Sequence, residues 1–256
     1  MFYSGLMNIG LITYQTGHHK TCEVARVLLQ KGHKVTLFAF PFHLHSAVAV
    51  AEDRALDHPP QLLGRDWLDI FKKNEVEIIK MAGWEAAHSQ LFQLDNVDFP
   101  GGIFLHCTAK IIPPAFIGNR LILNCHPGLL PQNRGVDALK WSVINNWPIG
   151  VTLHIIDANI DRGTILTRWR TSLLPNDTLQ DIFARVYRNS ISLLAGFEEF
   201  IHYRFEHWEV GDEHPLSRKR LPLAADTQLE AIFLARRETL IENSTNKLLH
   251  PHKSNT

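Results

Sequence analysis

The sequence predicts an α/β fold built on a doubly wound, Rossmann-like and mostly parallel sheet, with flanking helices and a short C-terminal helical tail. The first observation is an alternation of patterns, since apolar runs of strand length are separated by segments whose apolar residues recur at helical spacing. The second is size, because 256 residues with 45% hydrophobic content suffice for one sizeable core with an appendage. We therefore expect one domain at 7–208 and a tail with a short helix at 209–256.

The N-terminal half opens with the order strand, helix, strand that is typical of such a domain. Val24, Val27 and Leu28 give the first helix an apolar stripe, and Gly32 follows its end. The proline-bearing stretch 41–60 is expected to be irregular. The elements expected in this half are strands at 8–14, 35–40, 76–80 and 103–105, and helices at 20–31 and 64–73.

Two groups of histidines in this half raise the question of ligands. His18, His19 and Lys20 come at the start of the first helix, where they could face an anionic substrate. A solvated polar loop explains the same residues, and the sequence leaves both interpretations open. His43 and His45 form an H-x-H pair, but no acidic or thiol side chain beside them completes a metal site, so no metal is expected.

The first polar loop of the C-terminal half follows a short buried strand. The apolar run 121–123 ends at Asn124, and Pro127 and Pro131 exclude a helix after it. We expect this strand to deliver Asn124 and His126 into a loop. In an open parallel sheet, ligands bind beyond the carboxyl ends of the strands, so both side chains are predicted to lie at a site.

A second buried strand is predicted at 149–157, where β-branched and apolar residues are interrupted only by His154. The loop 158–163 follows it and presents Asp161. The remaining elements expected in this half are a helix at 136–146 with Asp137 and Lys140 on its exposed or cleft side, a strand at 164–174, a long helix at 178–205 opened by a capping box over 177–180, a polar stretch at 209–223 and a weak helix at 227–241.

Asn124, His126 and Asp161 together suit acid–base chemistry on an acyl group. A carboxylate beside an imidazole raises the imidazole pKa and fixes its tautomer, and a carboxamide can donate a hydrogen bond to a developing oxyanion. Taken singly, each residue has a structural explanation as a turn or loop residue. Taken with the surrounding pattern, the trio is predicted to be catalytic.

That pattern is N-x-H-P-x-L-L-P-x-x-R-G, followed by G-V-T-x-H and D-x-G-x-I-L. It resembles the 10-formyltetrahydrofolate-dependent formyltransferase superfamily, which includes the sugar N-formyltransferases, glycinamide ribonucleotide transformylase and the catalytic domain of methionyl-tRNA formyltransferase. The resemblance is dense over 113–166 and places the superfamily's catalytic residues on Asn124, His126 and Asp161. It further implies that the formyl donor is 10-formyltetrahydrofolate, whose pterin ring would bind main-chain groups at Lys110, Ile111 and Ile112, and that no metal takes part.

The acceptor is less specified than the donor. The loop 13–20 contains one glycine, whereas the glycinamide ribonucleotide enzymes have a glycine-rich phosphate loop at this place, and the tail is too short for the basic domain of methionyl-tRNA formyltransferases. By elimination we expect a primary amine on a nucleotide-linked amino sugar, as used in lipopolysaccharide and other surface polysaccharide synthesis. A purine-pathway transformylase and a non-catalytic folate-binding protein of the same fold remain as alternatives.

Composition sets expectations about partners and compartment. Lys+Arg and Asp+Glu are both 26, so nucleic acid is not expected as a partner. Three scattered cysteines fit neither a disulfide framework nor a zinc site, and the N-terminus has neither a charged n-region nor a membrane span. We expect a cytoplasmic enzyme without a membrane partner. The oligomeric state is open, with a homodimer among the options.

Overall fold

The computed structural model of the chain describes residues 6–41, 71, 76–83, 102–201, 216–244 and 247–249. It divides into two compact units, Met1–Asn124 and Cys125–Thr256. The histidine pair at 43 and 45 and most of the predicted helix 64–73 lie outside the described residues.

A parallel sheet forms the first unit. Its strands are β1 (Asn8–Tyr14), β2 (Lys34–Phe40), β3 (Glu77–Lys80), β4 (Ile103–His106) and β5 (Leu121–His126), which crosses the boundary between the units. The order is β3-β2-β1-β4-β5, and every pair within it is parallel. Helix α1 (His19–Gln30) connects β1 to β2, and α2 (Pro114–Ile117) precedes β5. The predicted doubly wound α/β fold is confirmed.

Close packing of aromatic side chains over β1 explains why a glycine interrupts its apolar run. A Cβ added at Gly10 would lie 2.7 Å from the ring of Phe104 and 2.8 Å from that of Phe38. Those two rings pack with their centroids 5.3 Å apart. On the neighbouring α1, Val24 and Leu28 are completely buried, as its helical stripe predicts.

The second unit combines antiparallel strands with helices. Strand β6 (Gly150–Ile155) pairs with β7 (Ile165–Arg170), which pairs with β8 (Lys247–Leu249), and both pairings are antiparallel. Its helices are α3 (Ala138–Asn145), α4 (Leu179–Ala195), α5 (Glu198–Ile201), α6 (Leu223–Asp226) and α7 (Leu229–Asn243). Helix α4 packs on β6, and α7 packs on α3.

The long helix predicted at 178–205 is interrupted. Helix α4 ends at Ala195, Gly196 follows, and α5 begins only at Glu198. The capping box is also one residue later than predicted, because the Thr178 side chain accepts from the Asp181 amide and the Asp181 carboxylate accepts from the Thr178 amide. The predicted strand at 164–174 is shorter, since β7 ends at Arg170.

Lys140 does not lie on an exposed or cleft side of α3. Its side chain is 2% exposed, and its ammonium nitrogen lies 2.9 Å from Oδ1 of Asp226. A lysine is buried in this way only where a carboxylate compensates its charge. The sequence could not show this pair, because the residues belong to different helices far apart in the chain.

Three further expectations concern the chain as a whole. The predicted domain boundary at 208/209 falls outside the described residues and stays a prediction. Within the described ranges, no helix is both long enough and apolar enough to span a membrane. All three cysteines are free thiols, and burial raises the pKa of Cys107 to about 11.

Candidate functional site

Strand β5 extends further than the sequence indicated. Asn124 and His126 were expected in a loop, but both lie within the strand, which ends at His126. The strand ends at His126 because the next residue, Pro127, has no amide proton with which to extend a strand ladder. Asn124 belongs to the first unit, where it is in register with His106 of β4.

His126 and Asp161 come together in the second unit. Nδ1 of His126 lies 3.5 Å from Oδ1 of Asp161, and the two side chains are 5% and 12% exposed. Asp161 adopts a left-handed conformation with φ 51° in the turn between β6 and β7. An aspartate tolerates this conformation better than most residues, and here it directs the carboxylate towards the imidazole.

The main chain determines which tautomer His126 adopts. Its Nε2 lies 2.8 Å from the carbonyl oxygen of Asn133, which can only accept a hydrogen bond. Nε2 therefore carries the proton and donates a hydrogen bond to the Asn133 carbonyl. In the neutral imidazole, Nδ1 then presents its lone pair on the side of Asp161, where a proton taken up by Nδ1 meets a carboxylate.

The loop that contains Asn133 also binds Asp161. The backbone amide of Gly135 donates a hydrogen bond of 2.9 Å to Oδ2 of Asp161, and the Arg134 guanidinium donates to the carbonyl oxygen of Ile160. The three-residue segment 133–135 thus contacts both members of the acid–base pair. We refer to it as the pairing loop.

The residues before the pairing loop are fixed by β6 and β7. The hydroxyl of Thr152 donates to the carbonyl of Gly128 at 2.7 Å and accepts from the amide of Leu130 at 3.0 Å. Arg168 donates to the carbonyl of Leu130 at 3.0 Å. A Cβ added at Gly128 would lie 2.8 Å from the carbonyl oxygen of Asn133 and 3.0 Å from Nε2 of His126, so the close approach of the loop to the imidazole requires a glycine here.

The side chain of Asn133 stabilises the loop from inside. Its Nδ2 donates to the carbonyl of Ala138 at 2.5 Å and to the hydroxyl of Ser142 at 2.8 Å. Asn133 is 2% exposed, which is expected of a polar residue whose role is structural. In the sequence motif this position is an unspecified residue, so the pattern gave no indication of this role.

His154, the last residue of the G-V-T-x-H motif, lies at the site although it was not among the predicted catalytic residues. Its Nε2 lies 3.9 Å from Oδ1 of Asp161, while Nδ1 donates to the carbonyl of Ile155 at 3.2 Å. Burial lowers the pKa of His154 to about 4, so it is neutral near pH 7. Asp161 therefore lies between two imidazoles. The available signal was a histidine inside an otherwise apolar strand.

The residues predicted to bind the pterin ring lie between β4 and α2. The Lys110 ammonium donates to the carbonyl of Pro41 at 2.9 Å, and the Lys110 amide donates to the hydroxyl of Thr108 at 3.3 Å. Ile111 is 68% exposed and Ile112 is buried. Among the described residues, the main-chain groups of Ile111 and Ile112 form no hydrogen bond with protein. They fit a ligand that binds through main-chain groups.

The structure at the start of α1 excludes one of the two interpretations of His18, His19 and Lys20, that of a solvated polar loop. His18 and Lys20 are 5% and 8% exposed, so neither belongs to a solvated polar loop. Nδ1 of His18 lies 3.1 Å from the hydroxyl of Thr21. Burial, with Lys20 and His19 nearby, lowers the pKa of His18 to about 3, so this imidazole is uncharged at neutral pH. In the part of the chain that is described, no three His, Cys, Asp or Glu side chains cluster as metal ligands would.

Comparison with known proteins places this geometry in context. The chain matches the formyl transferase family over residues 71–195, which confirms the resemblance to the formyltransferase superfamily. A dTDP-4-amino-4,6-dideoxyglucose formyltransferase of Mycobacterium bovis is 33% identical over 81 residues, covering 32% of this chain and 34% of that protein. The match thus spans about a third of the length of this curated relative.

Solved structures share the fold across more of the chain. A sugar N-formyltransferase from a Shewanella species superposes with a TM-score of 0.53, at 18% identity, covering 91% of this chain and 88% of its own. Glycinamide ribonucleotide transformylase 1 from Symbiobacterium toebii superposes with a TM-score of 0.54, also at 18% identity, covering 76% and 88%. At these identities the similarity shows the fold and does not distinguish between acceptors.

Proposed function

We propose that this chain is an N-formyltransferase that moves a formyl group from 10-formyltetrahydrofolate to the primary amine of a nucleotide-linked amino sugar. The observation that carries the proposal is the 3.5 Å approach of His126 to Asp161, with the other imidazole nitrogen bound to a carbonyl. This arrangement prepares one nitrogen for proton transfer. The match to the formyl transferase family supports the reaction class.

The proposed role of His126 follows from the proton transfers that the reaction requires. The formyl donor supplies an electrophilic carbonyl carbon, and an amine that attacks it must lose a proton while the departing nitrogen gains one. Nδ1 of His126 is the nitrogen with a free lone pair, so it takes the proton from the amine and returns it to the departing nitrogen. Asp161 stabilises the resulting imidazolium, and the amide of Gly135 keeps the carboxylate in place.

Asn124 and the segment 110–112 have the remaining proposed roles. We assign the carboxamide of Asn124 to the developing oxyanion, as the residues matched to the superfamily imply. The main-chain groups of Ile111 and Ile112 would bind the pterin ring, because they offer donors and acceptors that no described residue uses. The apolar side chain of Ile111 is exposed beside them.

The acceptor class rests on the curated relative and on chemistry. The Mycobacterium bovis protein is named for a dTDP-linked 4-amino sugar. A nucleotide remote from the reacting amine can supply binding energy that orients the amine at the formyl carbon. A free amino sugar lacks that part of the molecule. We therefore expect kcat/KM to fall by about 10²-fold or more when the nucleotide is removed.

A panel of amines tests the proposal. Nucleotide-linked 3-amino and 4-amino deoxysugars, the corresponding free amino sugars and glycinamide ribonucleotide are each incubated with 10-formyltetrahydrofolate, and release of tetrahydrofolate is measured. We expect turnover of at least one nucleotide-linked sugar. Turnover of glycinamide ribonucleotide alone would replace the sugar proposal with the purine one. Calorimetric binding of a formyl-folate analogue without turnover of any amine would indicate a folate-binding protein.

A further inference from the structure

A segment from the C-terminal part of the chain forms backbone hydrogen bonds with the pairing loop and with the residue after it. The amide of Arg218 donates to the carbonyl of Arg134 at 2.8 Å, and the amide of Val136 donates to the carbonyl of Arg218 at 3.0 Å. These bonds form an isolated parallel bridge between Gly135 and Arg218. We call residues 216–221 the strap.

The strap requires a glycine at position 135. A Cβ added there would lie 2.2 Å from the carbonyl oxygen of Arg218, 2.6 Å from its nitrogen and 2.6 Å from the hydroxyl of Ser217. Gly135 also has φ +96°, which other residues rarely adopt. The glycine that ends the N-x-H-P-x-L-L-P-x-x-R-G motif therefore makes room for the strap while its amide binds Asp161.

The Arg218 side chain anchors the strap between two aromatic rings. Its guanidinium carbon lies 5.2 Å from the ring centroid of Trp141 and 5.0 Å from that of Trp147. A guanidinium over an indole face is the most favourable cation–π pairing available to an arginine. The indole nitrogen of Trp141 also donates to the carbonyl of Lys219 at 2.9 Å. Side-chain and main-chain contacts thus fix the same short segment.

Helix α3 fixes the downstream end of the strap. The amide of Leu221, a buried residue, donates to Oδ2 of Asp137 at 2.8 Å. Directly after the strap, α6 carries Asp226, whose carboxylate forms the buried ion pair with Lys140. Such a pair is costly to break, because it would leave one buried charge uncompensated. The strap is therefore tied down at Arg218 itself and downstream of it.

We propose that the strap positions the His126–Asp161 pair through the pairing loop, with Arg218 as its principal positioning residue. The carbonyl that orients His126 and the amide that orients Asp161 both belong to the pairing loop, and the strap binds that loop on either side of Gly135. Among the described residues, Arg218 itself forms no hydrogen bond or ion pair with His126 or Asp161. Its kinetic consequence rests on the proposed function, whereas its effect on the loop does not.

The experiment compares Arg218→Ala with Arg188→Ala, which removes the same charge from an exposed position on α4. Solvent exchange is measured by NMR for the amide of Gly135 and for the Nε2 proton of His126. Where an amine substrate has been found, kcat and KM are measured as well. We expect Arg218→Ala to accelerate both exchanges at least about tenfold and to lower kcat about 10-fold to 10²-fold, with KM within about threefold. Arg188→Ala should change none of these.

Two further variants separate positioning from a general loss of stability. Arg218→Ala should lower the thermal unfolding temperature by the same amount in a His126→Ala background as in the parent. In that background it should change the residual rate by less than about threefold, because the imidazole is gone. An equal loss of rate with and without His126 would overturn the proposal. If Arg218→Ala fails to fold, Trp141→Phe tests the same point, since it keeps a ring but removes the bond to Lys219.

The exchange measurements need no turnover, so the two proposals fail in different ways. Faster exchange in Arg218→Ala without formylation of any amine would support the strap and count against the proposed function. Formylation with unchanged exchange and unchanged kcat in that variant would support the function and reject the strap.

Discussion

The candidate site of the second unit fixes polar side chains with main-chain groups, whereas the candidate site of the first unit presents main-chain groups of its own. In the second unit, His126 donates to the Asn133 carbonyl and Asp161 accepts from the Gly135 amide. In the first unit, no described residue uses the main-chain groups of Ile111 and Ile112. The difference teaches that functional side chains can be recognised as a sequence motif, whereas binding through main-chain groups leaves almost no signature in the sequence.

Two buried histidines, one in each unit, differ in whether a carboxylate lies beside the imidazole. His126 lies 3.5 Å from a carboxylate, but the charged neighbours of His18 are Lys20 and His19, and its Nδ1 contacts the hydroxyl of Thr21. Burial and these neighbours lower the pKa of His18 to about 3, so it cannot exchange protons near neutrality. Of these two buried imidazoles, that of His126 is the one with a carboxylate beside it to compensate a positive charge.

The largest expected effect comes from removing the imidazole of the second unit. His126→Ala should lower kcat about 10²-fold to 10⁴-fold, because general acid–base catalysis contributes about that factor. The KM values of donor and acceptor should change little. Steady-state kinetics with the acceptor identified by the amine panel measures both.

His33→Ala is the matched control, since His33 is a buried histidine just before β2, and its Nδ1 accepts from the amide of Met7. It lies at the amino end of its strand, opposite the edge where ligands bind. If the kcat of the His126 variant stayed within about threefold of the parental value, as expected for the control, His126 would not be the general acid–base group.

A smaller effect of another kind is expected in the first unit. Thr108→Val removes the hydroxyl that accepts from the Lys110 amide and lies 2.7 Å from Nε2 of His106. One lost hydrogen bond is worth about 1 kcal/mol, so the loop before α2 should loosen and raise the KM for the formyl donor about threefold to tenfold. The value of kcat should change less. Initial rates over a range of donor concentrations separate the two constants.

Thr36→Val is the control for this prediction, because Thr36 is also a buried threonine, lies in β2, and loses a hydroxyl that donates to Oε2 of Glu77. If Thr108→Val lowered kcat and left the KM of the donor unchanged, the division of roles between the units would be wrong.

The smallest expected effect on activity belongs to a salt bridge outside both sites. Arg185 donates to both carboxylate oxygens of Asp177, at 2.5 and 2.8 Å, and these hydrogen bonds hold the pKa of Asp177 below its ordinary value. A depressed carboxyl pKa contributes stability above the unfolded value of about 4 and loses it as the pH falls through the folded pKa. Asp177→Asn should therefore lower the free energy of unfolding by about 1 kcal/mol at pH 7 and by less at pH 3.

Urea denaturation at the two pH values measures this difference, and kcat and KM should stay at the parental values. Glu23→Gln is the control, because Glu23 forms an exposed ion pair with Arg26 at 2.9 Å and should contribute less. A stability loss in Asp177→Asn that does not depend on pH would mean that the charge of Asp177 is not what stabilises the fold.

The sequence predicted the strands of the first unit well, because each contains a run of adjacent apolar residues. It also predicted that His126 and Asp161 lie together, since the motif places them after successive buried strands. It did not predict that β5 includes both Asn124 and His126, because patterns define strand ends poorly. Whether Asn124 joins the pair remains a prediction.

What the sequence missed depends on contacts between distant residues. His154 looked like an interruption of a strand, and its 3.9 Å distance to Asp161 depends on how the β6–β7 turn closes. Lys140 looked exposed because its partner Asp226 lies in another helix. Gly135 is required because the backbone of Arg218 packs directly against it. The sequence could not show this, because a local pattern does not reveal which distant segment packs on a glycine.

The bridge between Gly135 and Arg218 also sets an order for folding. Such a pairing joins segments far apart in the chain, and contacts of high sequence separation form late because a large loop must close first. On the ribosome, the segment around His126 emerges well before Arg218 has been synthesised. The pairing loop of a nascent chain is therefore completed only after the C-terminal part has been released, and a chain truncated before Leu216 could not form that final contact.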